Sequence, residues 1–266
     1  MNDKKDNRAH VIVIGGTSGL GLALALAHQQ LGWQVSVVGH NQAKIDCINA
    51  QHPDITTHHC DLTDFTQRQT LLDTLSASQF QRLIYSAGSY FNERLQQLDK
   101  TTSTQMLAIN LQAFEHVFMW ASAQLMQQVE ANTGVGSIKP SLVCIASIAG
   151  IIDYPYSSLY AKSKRAMIAT ASAYRCALAP YDIQVTCIAS GYIDTQALRD
   201  LNGGDASHKP FIISTQTAVR YTMQALADDV ELAVFPRSMR YITRALNQLP
   251  KPVLNWLIRK RLDKSL

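Results

Sequence analysis

His10-Val-Ile-Val-Ile14-Gly-Gly-Thr-Ser-Gly-Leu-Gly21 runs from a short apolar segment through a glycine-rich turn into the alanine- and leucine-rich stretch Leu20–Leu31. The first part reads as a buried strand and the last as a helix. A strand that ends in glycines and opens a helix aims backbone N–H groups and the positive helix terminus at one point. A diphosphate fits there because no Cβ blocks its approach. Gly15, Gly19 and Gly21 stand at those places. The spacing is GxxxGxG rather than GxGxxG, so the turn draws its meaning from what lies downstream.

Outward from this turn, strand and helix patterns alternate, the mark of a parallel sheet covered by helices on both faces. Strands are expected at His10–Ile14, Gln34–Gly39, Ile55–Cys60, Arg82–Ala87, Ser141–Ala146, Ile183–Ala189 and Leu232–Phe235. Helices are expected at Ala43–Ala50, Phe65–Leu75, about Thr102 to Glu130, Ser157–Leu178 ahead of Pro180, and Thr215–Leu226, with a loop over 132–139. Length and the lack of an internal linker predict a single α/β domain over residues 1–236, a Rossmann-type doubly wound sheet of about seven strands. Residues 237–266 read as two basic amphipathic helices parted by Leu249-Pro-Lys-Pro252, packed on or near that domain.

The chemistry lies in Ser158-Leu-Tyr-Ala-Lys-Ser-Lys164. Tyr160 and Lys164 share one helix face at i and i+4, so an ammonium can stand beside a phenol and draw its pKa down toward neutral. Ser147, thirteen positions before Tyr160, ends a strand and can donate to a substrate oxygen. Taken singly, a Tyr-x-x-x-Lys is an ordinary surface pair and a serine at a strand end an ordinary cap. Beside a dinucleotide turn they point to hydride chemistry on a carbonyl or alcohol.

Taken together, these motifs resemble the short-chain dehydrogenase/reductase family, in its single-domain branch, over roughly residues 10–236. The matching positions are Ile14-Gly-Gly-Thr-Ser-Gly-Leu-Gly21, Asp61-Leu62, Ser86-Ala-Gly88, Asn110, Ser147, Tyr160, Lys164 and Ser190-Gly-Tyr-Ile-Asp-Thr195. The resemblance implies that Tyr160 is the general acid and base, Ser147 the donor to the substrate oxygen, and Lys164 the ligand of the nicotinamide ribose. Asn110 would hold a water in a proton relay. The cofactor would lie on Gly15, Thr17, Ser18, Gly19, Leu20 and Gly21, on His40 and Asn41, and on Asp61 and Leu62 beside the adenine. Ser86, Ala87, Gly88, Gly191, Ile193 and Thr195 complete the set with Tyr160 and Lys164. Three positions depart from the pattern: Ile14 for threonine, Ser86 for asparagine and Ser190 for proline. They predict altered stability or cofactor grip rather than lost chemistry.

Strand two ends Val37-Val-Gly-His-Asn41, without the carboxylate that would take the adenosine ribose hydroxyls and repel a 2′-phosphate. NADP is therefore favoured, with NAD left open; His40 is either a phosphate donor or a solvent-facing loop histidine. Ala197–Phe211, with Gly203-Gly204 as a hinge, resembles the family's substrate lid. Ile151, Ile152, Tyr154 and Tyr192 fall where relatives line the pocket, which suggests an apolar ketone or alcohol. A redox sensor or scaffold that binds cofactor without turnover is the alternative from another class. In the family the helices over 102–130 and 157–178 pair subunits, so a homodimer or homotetramer is expected.

Composition narrows the classes further. Hydrophobic residues make up 47% and charged residues 17% of the 266, an ordinary globular balance. The apolar run Leu142–Ile152 is too short to cross a bilayer, and the polar start shows no secretory signal, so a cytoplasmic setting is expected. The cysteines at 47, 60, 144, 176 and 187 form no CxxC pair, Cys144 and Cys187 in strand sequence read as buried free thiols, and His58-His59-Cys60 alternates faces on a strand, so no metal is expected. Residues 237–266 hold eight Lys or Arg against one Asp. Peripheral contact with a membrane, packing on the body or on a second subunit, and simple solvation are all open for this tail; no nucleic-acid motif accompanies the charge.

Overall fold

The structure, a computed structural model, describes residues 8–90, 99–131, 138–152 and 157–262. Its first unit is β1 (His10–Ile14), α1 (Gly19–Gln30) and β2 (Gln34–Gly39), followed by α2 (Gln42–Gln51), β3 (Ile55–His59), α3 (Phe65–Leu75) and β4 (Arg82–Tyr85). All five β1 residues are buried, as a strand covered on both faces requires. Side chains alternate between the faces: Val11 and Val13 join one core with Leu24, Ile48 and Ala225, while Ile12 and Ile14 join the other with Leu71, Phe114 and Met167. Asn41 and Asp64 start α2 and α3 by accepting from Lys44 N and from Thr66 N and Gln67 N.

The chain continues through α4 (Lys100–Leu107), α5 (Phe114–Glu130), β5 (Ser141–Ile145), α6 (Leu159–Leu178) and β6 (Gln184–Ser190). Then come β7 (Ile193–Asp194), α7 (Gln196–Asp200), β8 (Ile213–Ser214), α8 (Thr215–Ala227), β9 (Leu232–Phe235), α9 (Arg237–Asn247) and α10 (Lys251–Leu262). Seven strands form one parallel sheet in the order β3-β2-β1-β4-β5-β6-β9, the doubly wound arrangement expected from the alternating pattern. Because every strand points the same way, the residues that follow β1, β4, β5 and β6 meet on one edge.

Two local features were not anticipated. The helix expected from about Thr102 to Glu130 is interrupted at Ala108–Ala113 by a wider turn with π-type hydrogen bonding, which separates α4 from α5. The wider turn carries Asn110 inward, where it is wholly buried. The second feature is a small parallel pair, β7 with β8, joining Ile193 to Ile213 and Asp194 to Ser214. Among the described residues, no helix is long and apolar enough to cross a membrane, and no group of His, Cys, Asp or Glu could hold a metal. Cys144 and Cys187 are buried free thiols, in line with the sequence, and Cys60 is buried as well.

The opposite edge of the sheet is held by a buried polar group. Arg82 Nε donates to Ser141 Oγ at 2.8 Å, Arg82 Nη1 meets His28 Nε2 at 2.9 Å, and the guanidinium lies 5.0 Å from the Trp33 ring centroid. His28 Nδ1 stands 2.7 Å from Leu24 O, so the ring is neutral with its proton on Nδ1 and a lone pair facing the arginine. Burial and Arg82 lower its pKa from 6.5 to about 4, burial being the larger cause. The unfolded chain therefore binds a proton that the folded chain refuses. This contribution to stability is complete above pH 6.5 and is lost as pH falls through that value to about 4. The loss amounts to about 3 kcal/mol. Denaturant titrations at pH 7 and pH 4 should show His28→Gln with a much smaller acid loss than the parent. Equal acid sensitivity in the two proteins would contradict the assignment.

Candidate active site

The glycine turn is shaped by close backbone approach. Gly15 has φ +77°, and a Cβ on it would lie 2.5 Å from Ala87 N. A Cβ on Gly21 would lie 2.2 Å from Gly15 O, so neither position admits a larger residue without moving main chain. Gly15 N and Gly16 N donate to Val38 O, and Ser86 N donates to Ile14 O, which locks the turn between β2 and β4. Ser18 is exposed and offers α1 no side-chain cap, and the first turn of α1 carries no acid. The N–H groups there are thus compatible with an external anion. Gly19 lies across from Thr195, whose methyl would be 3.6 Å from a Cβ on Gly19.

Around this turn the remaining cofactor candidates divide by burial. Thr17 is buried and packs on Gly39 at the end of β2, while His40 and Asn41 are exposed. The His40 carbonyl is met by His59 Nε2 at 3.0 Å, and the Asn41 side chain is occupied in capping α2. Asp61 is exposed and uses one carboxylate oxygen on Thr63 N and Thr63 Oγ1, both at 2.8 Å. Leu20 and Leu62 are buried in the two cores. Gly191 N donates to Phe235 O at 2.8 Å, so the turn after β6 is tied to the end of β9. Ile193 packs partly buried in the second core.

The four catalytic candidates gather at the sheet edge beside the turn. Asn110 Oδ1 accepts from Ser89 N at 2.9 Å, and its Nδ2 donates to Ser89 O at 3.0 Å and Ser163 Oγ at 3.1 Å. This side chain clamps the segment after β4 to the helix bearing Tyr160 and Lys164. Lys164, only 4% exposed, sends Nζ to Ile145 O at 3.2 Å and to the Met167 sulfur at 3.4 Å. A Cβ on Gly88 would stand 3.2 Å from that Nζ and 3.6 Å from Asn110 Oδ1, so the bare glycine lets the lysine and asparagine converge. An ammonium has three donors, and one of these two acceptors is a weak sulfur, which leaves capacity for a hydroxyl such as those of a ribose. Ser147 Oγ accepts from Ala149 N at 3.2 Å and is hydrogen-bonded with Tyr160.

The electrostatics correct one expectation. Lys164 was expected to draw the Tyr160 pKa down; instead it is pushed up to about 12, mainly by burial, against the opposing Ser147 hydrogen bond. The ammonium lies 6.0 Å from the tyrosine ring centroid and, being desolvated, has its own pKa lowered. Tyr160 is accordingly a protonated phenol at neutral pH, an acid in its resting form.

Sequence reasoning missed Tyr90, whose ring packs edge-on to that of Tyr160 at 4.8 Å and 82°. Its signal was its place, just beyond the carboxyl end of a central strand, where ligands of such sheets lie. Tyr192 is close enough to affect Tyr160 electrostatically, and Lys209 Nζ sits 5.6 Å from the Tyr192 ring centroid. Ile151 and Ile152 are half-buried beyond Ser147, and Tyr154 lies outside the described residues. In the lid segment, α7 is pinned by Arg199, which binds both carboxylate oxygens of Asp194 at 2.7 and 2.8 Å. Gly203 and Gly204 have φ of +70° and +99°.

Comparison with known proteins gives the same family as the motifs. Residues 9–206 match the family model described as short chain dehydrogenase. A tropinone reductase homologue of Arabidopsis thaliana is 25% identical over 197 residues, 71% of this chain and 71% of its own length. The bulky-bulky ketone specific alcohol dehydrogenase from Comamonas testosteroni superimposes with a TM-score of 0.76 at 16% identity, over 98% of this chain and 95% of its own. A short-chain dehydrogenase from Sphingobium yanoikuyae, solved in complex with NADPH, gives 0.74 at 18% identity over 97% and 96%. With three quarters of its length matched by the family model and its sheet order and motifs in place, this chain belongs to the short-chain dehydrogenase/reductase family of oxidoreductases.

Proposed function

We propose that the protein transfers a hydride between NADP(H) and the carbinol or carbonyl carbon of an apolar secondary alcohol or ketone, with Tyr160 as the general acid and base. The observation that carries this reading is the hydrogen-bonded pair Ser147 and Tyr160 above the buried Lys164, on the sheet edge that holds the glycine turn. A bound nicotinamide would supply or accept the hydride. Gly15, Thr17, Ser18, Gly19 and Gly21 would cradle the diphosphate, Asp61 and Leu62 would flank the adenine, and Gly88, Gly191, Ile193 and Thr195 would border the nicotinamide half. Lys164 would hold the ribose hydroxyls, and Asn110 would keep the segment after β4 in reach of it.

For reduction, Ser147 would donate to the substrate oxygen and Tyr160 would deliver its proton there. The raised Tyr160 pKa supports this direction as the one for which the resting site is already protonated. Tyr90 and Tyr192 beside Tyr160, with Ile151 and Ile152 half-buried nearby, support an apolar substrate, as do the ketone-related names of the similar proteins. The exposed His40 with no carboxylate ending β2 supports NADP, as does the NADPH complex of the Sphingobium protein. Buried free thiols support a cytoplasmic setting, and α5 and α6 are the faces through which a homodimer or homotetramer would pair.

Tyr160→Phe should lower kcat for ketone reduction by about a hundredfold or more while leaving NADPH binding, followed by fluorescence, unchanged. Retained turnover would sink the assignment. In the cofactor-free protein, the difference in phenolate absorbance between the parent and Tyr160→Phe should rise only near pH 12. A step below pH 10 would show that Lys164 controls the phenol after all. His40→Ala should raise KM for NADPH severalfold and leave KM for NADH in place, and a parent enzyme that prefers NADH would overturn the NADP assignment.

A further inference from the structure

Helices α9 and α10 carry a surface that the chemistry above does not use. One side of α9 faces the protein: Thr243 is buried, Met239 and Leu246 are half-buried, and Gly191 packs against Pro236 and Met239. At its far end, Asn247 Nδ2 donates to Ile151 O at 3.3 Å, beyond Ser147 in the chain. The helix thus leaves β9 at the same sheet edge as the site and runs beside it.

Its other side is basic. Arg237, Arg240 and Arg244 are all exposed, at the i, i+3, i+7 spacing of one helix face, with Tyr241 70% exposed among them. Residues 237–262 contain no Asp or Glu, and no ion pair engages these three arginines or Lys251 among the described residues. On α10, Leu254 turns inward while Val253 and Trp256 remain 43% and 59% exposed. The body of the chain, residues 1–236, carries net charge −3, so the net positive charge of the chain lies on these two helices.

We propose that the outer faces of α9 and α10 dock the protein onto an anionic lipid bilayer, with the active-site edge turned toward the membrane. Guanidinium groups without acidic partners match lipid phosphates and carboxylates, to which they bind in bidentate fashion. Exposed tryptophan and tyrosine rings, apolar in body and polar at one edge, settle at the boundary between headgroups and acyl chains. A second copy of the chain is a poorer occupant, because a symmetric contact through this face would set arginine against arginine. Combined with the proposed function, docking would bring the site to apolar ketones dissolved in the bilayer; the docking itself does not depend on that reading.

The test uses the full-length protein and sedimentation with vesicles of phosphatidylcholine, with or without phosphatidylserine. Binding is expected to the anionic vesicles and to be released by salt. The variant R237Q/R240Q/R244Q should partition on the order of a hundredfold more weakly, because each cation near such a surface contributes separately. Trp256→Ala should weaken binding to anionic vesicles at low salt, where the parent is bound. Circular dichroism and NADPH-dependent reduction of a water-soluble ketone should be unchanged in the triple variant. Those controls separate a failure of docking from a failure of the proposed chemistry. Absence of binding, equal binding to neutral vesicles, or equal binding of the triple variant overturns the proposal. So does retention of a DNA duplex in place of vesicles, or a dimer that the triple variant breaks without any vesicle binding.

Discussion

The whole site rests on main chain meeting main chain where side chains are missing. Gly15 presses on Ala87 N, Gly21 on Gly15 O, and Gly88 brings its bare Cα beneath Lys164 Nζ. These three contacts form a continuous line from the start of α1, across the ends of β1 and β4, to Lys164. A methyl group on Gly15 or Gly21 would drive main chain apart at the turn that should hold a diphosphate, and one on Gly88 would press on the Lys164 ammonium at 3.2 Å. The line also explains why the clamp by Asn110 matters: its bonds to Ser89 and Ser163 fix the one segment, 86–90, that belongs to both halves.

Parallel register supplies the other half of the constraint. β1, β4, β5 and β6 pair in order, so Gly15, Ser86, Ser147 and Gly191 emerge side by side although 176 positions separate the first from the last. At the other edge, Arg82, Ser141 and His28 tie β4, β5 and α1 together with buried hydrogen bonds. A buried arginine without a carboxylate partner has its pKa lowered to about 10 by burial, and it remains cationic through the neutral range. The neutral His28 is its acceptor. Acid that charges His28 therefore attacks the register that aligns the carboxyl ends of the strands, well away from Tyr160 and Lys164.

What the sequence disclosed and what it hid follow from the range of the forces involved. Strand alternation, glycine spacing and the i, i+4 pair are local, so β1, the turn, and Tyr160 with Lys164 were legible without coordinates. The π-type turn at Ala108–Ala113 was not, because it accompanies long-range bonding of Asn110 to Ser89 and Ser163, which no helical period records. The departures from the family pattern became interpretable only in three dimensions. Ser190 lies in register with Phe235, and the Gly191 N–H bond to Phe235 O steadies a turn that a proline would otherwise stiffen. Ser86 keeps its backbone tie to Ile14 O, so the central strands stay joined there through main chain. Tyr90 was hidden for a further reason: its edge-on contact with Tyr160 depends on how α6 lies over the end of β4.

The direction of the Tyr160 shift could not come from spacing, because proximity of opposite charge and loss of water act against each other. A lysine one helical turn away lowers a phenol's pKa only if its charge remains near and strong. Here the ammonium bonds to Ile145 O, 6.0 Å from the ring centroid, and has its own pKa lowered by burial, so desolvation decides the outcome for both groups. The protein alone consequently stores its proton on Tyr160, with Ser147 holding the phenol in place. Giving that proton to a substrate oxygen requires no prior ionisation. Taking one requires the phenolate, which burial disfavours here. The same burial thus raises the phenol's pKa and lowers the ammonium's, so in the protein alone both groups are shifted toward their neutral forms.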